Sequence, residues 1–278
     1  MSIFICTSNQ GKLREFSNLL NDNENIVGLA ELKKVENIQQ IEAIENSDYF
    51  LSNALIKILS ALKYILDNHD ISEFKAIKKI LVDDSGLCVP ELNYLPGVHS
   101  ATYAGEPKSD EKNRKKLTEQ LNKQEKYINF KNEKRLQAFF VCFLIELDLT
   151  GIIINKDDFK IVDGKSLVNN RVIELERNYL DKVNLNIEGG SFSQNIPISS
   201  LLEGFNKEIY INIHYGFCSG EISNIEQNKI LGTGHGYDHM FYSCENRELS
   251  FASIPLVEKN RKSHRAFALN AMVKSFSK

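Results

Sequence analysis

The chain has 278 residues, 42% of them apolar and 26% charged, and it carries a formal net charge of -3 at pH 7. This composition predicts a folded protein of one large domain or two modest ones and excludes a disordered chain. The slight acidity argues against duplex nucleic acid as a partner, because such binding surfaces need an excess of basic residues, but it permits a small anionic ligand held by local cations.

Cysteine usage and apolar runs indicate the compartment. The five cysteines are scattered and form no CxxC pair, which argues against a disulfide framework and against a structural zinc site. The first residues lack the basic segment and long apolar core of a secretory signal, and the longest apolar run, AFFVCFLIEL, is too short to span a bilayer. We therefore expect a soluble cytoplasmic protein with reduced thiols and no membrane partner.

The first predicted elements are a strand at Ile3 to Cys6, a polar loop with the sequence TSNQGK, and a helix over LREFSNLL. Backbone amides at a helix N-terminus attract phosphate, glycine permits close approach, and lysine supplies a charge. The loop lacks the GxxxxGK[ST] pattern of a P-loop, so a P-loop nucleotidase is disfavoured. An ordinary turn between a strand and a helix is the alternative.

A long amphipathic helix is predicted from Ser47 to Asn68, with Ser47 or Asp48 as its N-cap. Its apolar residues recur at helical spacing: Leu51, Ala54, Leu55, Ile58, Leu62, Ile65 and Leu66. The other side of the helix carries Asn53, Lys57, Ser60 and Tyr64. Lys57 is therefore expected to point away from the core.

The next strand, KKILV, is predicted to deliver Asp83 and Asp84 at its carboxyl end, where open α/β sheets place their ligands. Glu45 precedes the long helix and could converge with this pair on a hard divalent cation, which prefers oxygen ligands. Such a cation could activate water and offset the charge of a phosphate. A solvated DDSG turn beside an exposed glutamate is the alternative.

The second half of the chain predicts a helix from Asp110 to about Tyr127, a strand from Leu136 to Leu147 and a final helix from Ser263 to Phe276. Residues 150–208 contain strand-like pieces, among them RVIELE, and no motif. Paired strands are predicted in EIYINIHYGFCSGEI. The pattern favours a single α/β domain over residues 1–278 with an insertion at about 150–208.

Two further segments carry candidate functional residues. GTGHGYDHMF, at 232–241, predicts a glycine-rich loop that closes over a ligand and offers a ring for stacking. Its glycines disfavour the helix that a His-ligated metal site would need. KNRKSHRAFAL, at 259–269, puts basic residues at a helix start, which opposes the helix dipole unless an anion is bound; a solvated basic face is the alternative.

These segments together resemble the inosine triphosphate pyrophosphatase family, also called Ham1-like. The resemblance rests on TSNQGK, on Glu45 with Asn53, Ala54 and Lys57, on DDSGL with LPGVHSATYAGE, on YGFCSGEI with GTGHGYDHMF, and on KNRKSHRAFAL. The segments occur in the family's order and cover most of the chain outside 150–208. The resemblance implies an elongated α/β domain of two lobes with the cleft between them, which forms a homodimer.

The implied reaction is Mg²⁺-dependent hydrolysis of the non-standard purine nucleotides ITP, dITP and XTP to the monophosphate and pyrophosphate. Carried over by position, the resemblance assigns triphosphate contacts to Thr7, Ser8, Asn9, Gln10, Gly11 and Lys12. It assigns the metal to Glu45 and Asp84, and catalysis to Asp84 with Asp83 and Lys57. It assigns further substrate contacts to Asn53, Ser85, His235, Gly236, Tyr237, Asp238, Lys259, His264 and Arg265.

The sequence departs from the family pattern at several positions. Ser52 takes the place of a glutamate near the start of the long helix, and His235 takes the place of a phenylalanine expected to stack on the base. His239 replaces a proline, and Thr102 replaces an arginine. Two other functions stay open at this point: a related pyrophosphatase acting on other modified or pyrimidine nucleotides, and a nucleotide-binding protein without turnover.

Overall fold

The computed structural model describes residues 2–20, 25–32, 34, 41, 43–152, 163–201, 208–224 and 234–275. The strands are β1 (Ser2–Ile5), β2 (Asn25–Gly28), β3 (Ile77–Cys88), β4 (Ile128–Phe130), β5 (Glu133–Asp148), β6 (Gly189–Pro197), β7 (Tyr210–Ser223) and β8 (Phe241–Ser243). The helices are α1 (Gln10–Leu19), α2 (Leu29–Leu32), α3 (Phe50–Asp67), α4 (Ser72–Lys75), α5 (Asp110–Leu121), α6 (Asn170–Leu180), α7 (Leu256–Lys262) and α8 (His264–Ser275).

The described strands form one mixed sheet in the order β2-β1-β3-β5-β7-β6, with β4 added to β5 and β8 to β7. β1 is parallel to β2 and β3, whereas β5 is antiparallel to both β3 and β7. The central strand β5 is apolar on both faces because helices cover both: α3 and α6 on one, α1 and α8 on the other. The predicted α/β class is confirmed.

β3 differs from the prediction in its length. It does not end at Val82 but continues through the DDSG segment to Cys88, so Asp83 and Asp84 lie within the strand and Ser85 begins no turn. The strand continues because β5 pairs with it along this length, with Asp83 opposite Leu144 and Asp84 opposite Phe143. The parallel neighbour β1 stops at Ile5 and leaves this part of β3 open on one side.

Gly86 lies in β3 where a loop packs directly on the backbone. A Cβ atom on this residue would come within 2.2 Å of the Gly97 carbonyl oxygen and 2.7 Å of Ser100 Oγ. We expect Gly86→Ala to lower the free energy of unfolding by about 2 kcal/mol or more, because backbone atoms cannot move aside easily. Urea unfolding would measure this. Gly28→Ala is the matched control and should cost less, since its clash is with the end of the flexible Leu13 side chain.

α3 is buried around most of its circumference, so the prediction that one side of this helix faces away from the core is wrong. Ser60 and Tyr64 are each 3% exposed, and the rings of Phe4 and Phe74 pack against Tyr64. Lys57 is directed toward β3 and not away from the core, as described below. The predicted cap is also wrong, since α3 begins at Phe50 and the Ser47 hydroxyl instead accepts a hydrogen bond from the amide of Tyr49.

Three other elements differ from their predictions. RVIELE is helical within α6, because Asn169 caps the helix and Val172, Leu175 and Tyr179 form one buried side. The segment predicted as paired strands is the single long strand β7. α5 ends at Leu121 and not near Tyr127, since the following NKQEK has no apolar residue to extend the buried side of the helix.

Within the described residues, no helix is both long enough and apolar enough to cross a membrane.

Candidate active site

Asp83 and Asp84 direct their side chains to opposite faces of the sheet, because successive residues of a strand alternate. Asp83 lies on the face covered by α1 and α8, and Asp84 on the face covered by α3. Both are buried, at 4% and 8% exposure. The adjacent carboxylates therefore do not share one environment, and each has cations of its own.

Asp83 is surrounded by donors on its face of the sheet. Its Oδ2 atom accepts hydrogen bonds from Lys12 Nζ at 2.7 Å and from Ser85 Oγ at 3.1 Å, and it lies 3.5 Å from Arg265 Nε. Arg265 also donates to Ser85 Oγ at 3.2 Å and forms an ion pair with Glu15 of α1. This group joins β3, α1 and α8.

The charges of this group hold it ionised. Burial alone would raise the pKa of Asp83, but Lys12 and Arg265 outweigh it and keep the pKa well below its usual value. Burial alone would lower the pKa of Arg265, but Glu15 and Asp83 raise it. At neutral pH the cluster contains two cations and two carboxylates, so its charges balance.

On the opposite face, Lys57 of α3 joins the two residues predicted to bind metal. Its Nζ atom lies 2.7 Å from Glu45 Oε2 and 2.9 Å from Asp84 Oδ1, and it donates to the Asp83 carbonyl oxygen at 3.0 Å. Asp84 Oδ2 is buried and has no hydrogen-bond partner among the described residues. A buried carboxylate oxygen left without a donor is suited to accept a ligand, either a cation or a water molecule.

Burial and charge act in opposite directions on this pair. Burial raises the pKa of Asp84, and the nearby Lys57 opposes that shift without cancelling it. Burial would lower the pKa of Lys57, but Asp84, Glu45 and Asp83 together raise it well above its usual value. Lys57 therefore stays charged at neutral pH, whereas Asp84 is a carboxylate of increased basicity.

The TSNQGK loop lies beside this centre. Asn9 caps α1: its Oδ1 atom accepts hydrogen bonds from the amides of Gly11 at 2.8 Å and Lys12 at 3.2 Å. Thr7 Oγ1 accepts from the Asn9 amide, while Ser8 and Gln10 are exposed. The predicted phosphate-binding amides of Gly11 and Lys12 are thus engaged by Asn9.

The segment around Tyr237 is fastened to the rest of the protein by its polar groups. Asp238 accepts hydrogen bonds from the His235 amide at 2.9 Å and from Lys259 Nζ at 2.5 Å. The Tyr237 hydroxyl donates to the Ser100 carbonyl oxygen at 3.0 Å. Gly236 is held from both sides, because its amide donates to Asp110 and its carbonyl accepts from Arg114. The His235 side chain is exposed and lies next to Gly11.

Two other predicted residues have different surroundings. His264 stacks on Phe140, with ring centroids 5.0 Å apart, and its Nδ1 atom has no partner among the described residues. Burial, with the charge of Arg265, lowers the pKa of His264, so the ring is neutral at pH 7. Both polar atoms of Asn53 bind the backbone of Ser47, which gives Asn53 a part in shaping the loop before α3; its contact with substrate stays a prediction.

The sequence model of the Ham1 family matches residues 3–167 and 198–275, well over half of the chain. The chain belongs to the Ham1 family. The unmatched residues, 168–197, contain α6 and β6, and they lie inside the predicted insertion.

Individual members of the Ham1 family are similar to this chain over different lengths. A dITP/XTP pyrophosphatase of Sulfurovum sp. is 34% identical over 125 residues, covering 45% of this chain and 54% of that protein. The chain thus spans about half the length of this curated relative. A dITP/XTP pyrophosphatase of Bacillus anthracis is 27% identical over 271 residues, covering 97% of this chain and 93% of that protein.

Solved structures of Ham1 proteins share the fold. A HAM1 protein from Coxiella burnetii superposes with a TM-score of 0.61 at 23% identity, covering 100% of this chain and 98% of that one. The Staphylococcus aureus Ham1 protein gives a TM-score of 0.57 at 24% identity, covering 100% of this chain and 98% of that one. At this identity the likeness concerns the fold alone.

Sequence reasoning missed several residues of this Ham1 site. Glu15 pairs with Arg265, and its position three residues after Lys12 on one helix could have indicated a shared face. Asp110 and Arg114, four residues apart on α5, hold Gly236. Glu176, in the segment that the family model does not match, accepts a hydrogen bond from the first turn of α3, and no local pattern pointed to it.

Proposed function

We propose that the protein is a pyrophosphatase that hydrolyses ITP, dITP and XTP to the monophosphate and pyrophosphate. The observation that carries the proposal is the pair of adjacent carboxylates in β3, which point to opposite faces of the sheet. Asp83 is held by Lys12 at 2.7 Å, and Asp84 by Lys57 at 2.9 Å, so each carboxylate has a lysine that could transfer to phosphate. Two relatives named dITP/XTP pyrophosphatase support the choice of substrate.

Mg²⁺ fits this site through Asp84 and Glu45. The partnerless Asp84 Oδ2 atom and the Glu45 carboxylate are hard oxygen ligands, which Mg²⁺ prefers. No group of three or more His, Cys, Asp or Glu side chains in the described ranges is arranged to hold a metal by itself, so triphosphate and water would complete the shell. When bound, the ion offsets phosphate charge and lowers the pKa of a bound water molecule.

The protein groups then supply positioning and charge, which phosphoryl-type chemistry needs more than covalent catalysis. Lys12 and Lys57 exchange part of their contact with Asp83 and Asp84 for phosphate oxygens. Asp84 orients the attacking water and accepts its proton, and the raised pKa of this buried carboxyl favours that role near neutral pH. Arg265 keeps Asp83 ionised while Lys12 turns to the substrate.

The base is read at the other end of the site. A 6-oxo purine presents an acceptor where adenine has an amino group, and a pocket built for that acceptor rejects the amino analogue because a buried donor is left unpaired. His264 Nδ1 is a buried ring nitrogen available for such a bond, and the exposed His235 ring is available for stacking. The substrate contact assigned to Arg265 stays a prediction; in the structure its guanidinium is engaged by Glu15, Asp83 and Ser85.

The proposal includes the assembly of the protein. The chain is a single domain with an insertion at about 150–208, and the unmatched residues 168–197 support this division. It acts in the cytoplasm as a homodimer, with the nucleoside triphosphate as its substrate and with neither nucleic acid nor membrane as a partner.

The test is a pyrophosphate-release assay over ITP, XTP, dITP, GTP, ATP, dTTP and UTP, with Mg²⁺ and with EDTA. We expect kcat/KM for ITP and XTP to exceed that for ATP, which lacks the 6-oxo group, by at least about 100-fold, and EDTA to abolish release. A preference for dTTP or UTP would move the protein to a different pyrophosphatase class. Binding of ITP without release of pyrophosphate from any nucleotide would contradict an enzymatic function.

A further inference from the structure

α6 is packed against the helix that carries Lys57, although it belongs to the segment that the family model does not match. Val172, Leu175 and Tyr179 of α6 are buried in the same apolar cluster as α3. The remaining buried residue of α6 is Glu176, which is 5% exposed. A carboxylate is rarely placed in such surroundings without a specific partner.

The partner of Glu176 is the N-terminus of α3. Its Oε2 atom accepts a hydrogen bond from the Leu51 amide at 2.8 Å, and its carboxyl also interacts with the Phe50 amide. Tyr49, which precedes α3, makes no side-chain capping bond, so Glu176 supplies from a distant helix the acceptor that a local cap would supply. A negative charge at this end also complements the helix dipole.

The neighbouring segment fastens the loop that carries Glu45. The Gly164 amide donates to the Ile44 carbonyl oxygen at 2.9 Å, and the Lys165 amide donates to Asn46 Oδ1 at 2.9 Å. The Ser52 hydroxyl donates to the Gly164 carbonyl oxygen. Residues on both sides of Glu45, together with the first turn of α3, are thus held by contacts from 163–176.

We propose that Glu176 is a positioning residue for the active site: its carboxylate fixes the first turn of α3, and thereby sets Lys57 against Asp84 and Glu45. The inference rests on the proposed function, because it concerns the same site. Glu176 touches none of these three side chains and acts through the helix. Lys57 lies less than two turns beyond Leu51, so a shift of the first turn displaces its ammonium group.

The ionised form of Glu176 is unfavourable for folding in itself. Burial raises its pKa to about 7, the two amides oppose this shift, and Asp84 adds to it. The charge of Glu176 also acts on two other titratable groups, Cys88 and Tyr215; burial first, and also this charge, raises the pKa of both, so they are neutral near pH 7. Glutamine would keep an acceptor for the amides and remove the charge. If Glu176 served stability alone, this change should leave kcat/KM unaltered. If its carboxylate positions α3, the change should lower kcat/KM without lowering stability.

The experiment compares the full-length wild type with Glu176→Gln from pH 6 to pH 8.5 by kcat/KM for ITP and by thermal melting. We expect the variant to lose about tenfold in kcat/KM at pH 8.5 and to approach the wild type at pH 6, where Glu176 is itself protonated. Its melting temperature should be equal to or above that of the wild type at pH 8.5. Glu174→Gln is the matched control, because Glu174 lies on the same helix and its side chain is 62% exposed.

A second measurement does not depend on turnover. Hydrogen exchange of the peptide that contains residues 44–60 should be faster in Glu176→Gln than in the wild type at pH 8.5, and unchanged in Glu174→Gln. Equal kcat/KM of variant and wild type at pH 8.5, or the same loss at every pH with a lowered melting temperature, would overturn the inference. If the wild type releases no pyrophosphate while exchange changes as expected, the proposed function fails and the catalytic role of Glu176 fails with it, but the cap itself stands.

Discussion

Replacing Asp84 with asparagine is expected to lower kcat/KM for pyrophosphate release from ITP by at least about 10³-fold, since in the proposed mechanism both charge stabilisation and general base catalysis depend on this carboxylate. Lys57 still finds an acceptor in the amide oxygen, but the partnerless Oδ2 position then carries a neutral group. In the proposed mechanism, Mg²⁺ and the attacking water molecule would then both lose the negative charge that holds them. Steady-state pyrophosphate release over a range of Mg²⁺ concentrations would measure the loss.

The fold of this variant should persist, because Lys57 keeps its contacts with Glu45 and the Asp83 carbonyl oxygen. Asp70→Asn is the control, since the Asp70 side chain is 91% exposed and lies on the surface. It should have the activity of the wild type. Wild-type turnover in Asp84→Asn, with an unchanged melting temperature, would show that the catalytic centre is elsewhere.

Replacing Asp83 with alanine is expected to lower the free energy of unfolding by about 3 to 5 kcal/mol at pH 7. Asp83 has a side chain that is 2% exposed and lies between Lys12 and Arg265, so its removal leaves two cations with Glu15 as their remaining carboxylate. The cost of an uncompensated buried charge exceeds that of a lost surface pair. Urea unfolding at pH 7 would measure it.

The pH dependence of this effect has a definite sign. The pKa of Asp83 is lower in the folded state than in the unfolded state, so its contribution is fully present above about pH 4 and is lost as the pH falls below that value. The difference between wild type and variant should thus narrow by about 1 kcal/mol from pH 5 to pH 3.

Asp67→Asn is the matched control for this stability effect. This change removes the ion pair between Asp67 and Lys63 near the end of α3. It should lower the free energy of unfolding by less than about 1 kcal/mol. An effect of Asp83→Ala no larger than that of the control would contradict the structural importance of this cluster.

Local patterns in the sequence were sufficient for most of the fold. The apolar spacing of residues 51–65 predicted α3, the largely apolar run from Leu136 to Leu147 predicted β5, and Ser263 marked the start of α8. These predictions succeeded because burial periodicity is a property of consecutive residues. The ordered motifs also identified the Ham1 family, since each was short but together they were specific. The basic residues before Ser263 were wrongly predicted at a helix start, because Lys259, Arg261 and Lys262 lie in the last turn of α7, where they complement the helix dipole.

Local patterns failed where a distant element decided the outcome. Asp83 and Asp84 were predicted to stand at the end of a strand, because aspartate is unfavourable within one, but pairing with β5 continues β3 to Cys88. Lys57 was predicted to point away from the core because its position is opposite the apolar residues of the helix, whereas the carboxylate of Asp84 in the neighbouring strand draws it inward. Because both aspartates lie within the strand, their side chains point to opposite faces of the sheet. Their adjacency in the sequence did not reveal this.

The sequence by itself determined the α/β class, the family and the residue types of the site, because these follow from composition and from motifs that are contiguous in the chain. Only the tertiary structure decided which cation meets which carboxylate, and that α3 is capped by Glu176, 125 positions away in the chain. The physical reason is that charge and hydrogen bonding act through space, over a few ångströms, and chain separation does not limit them once the sheet has brought its helices together.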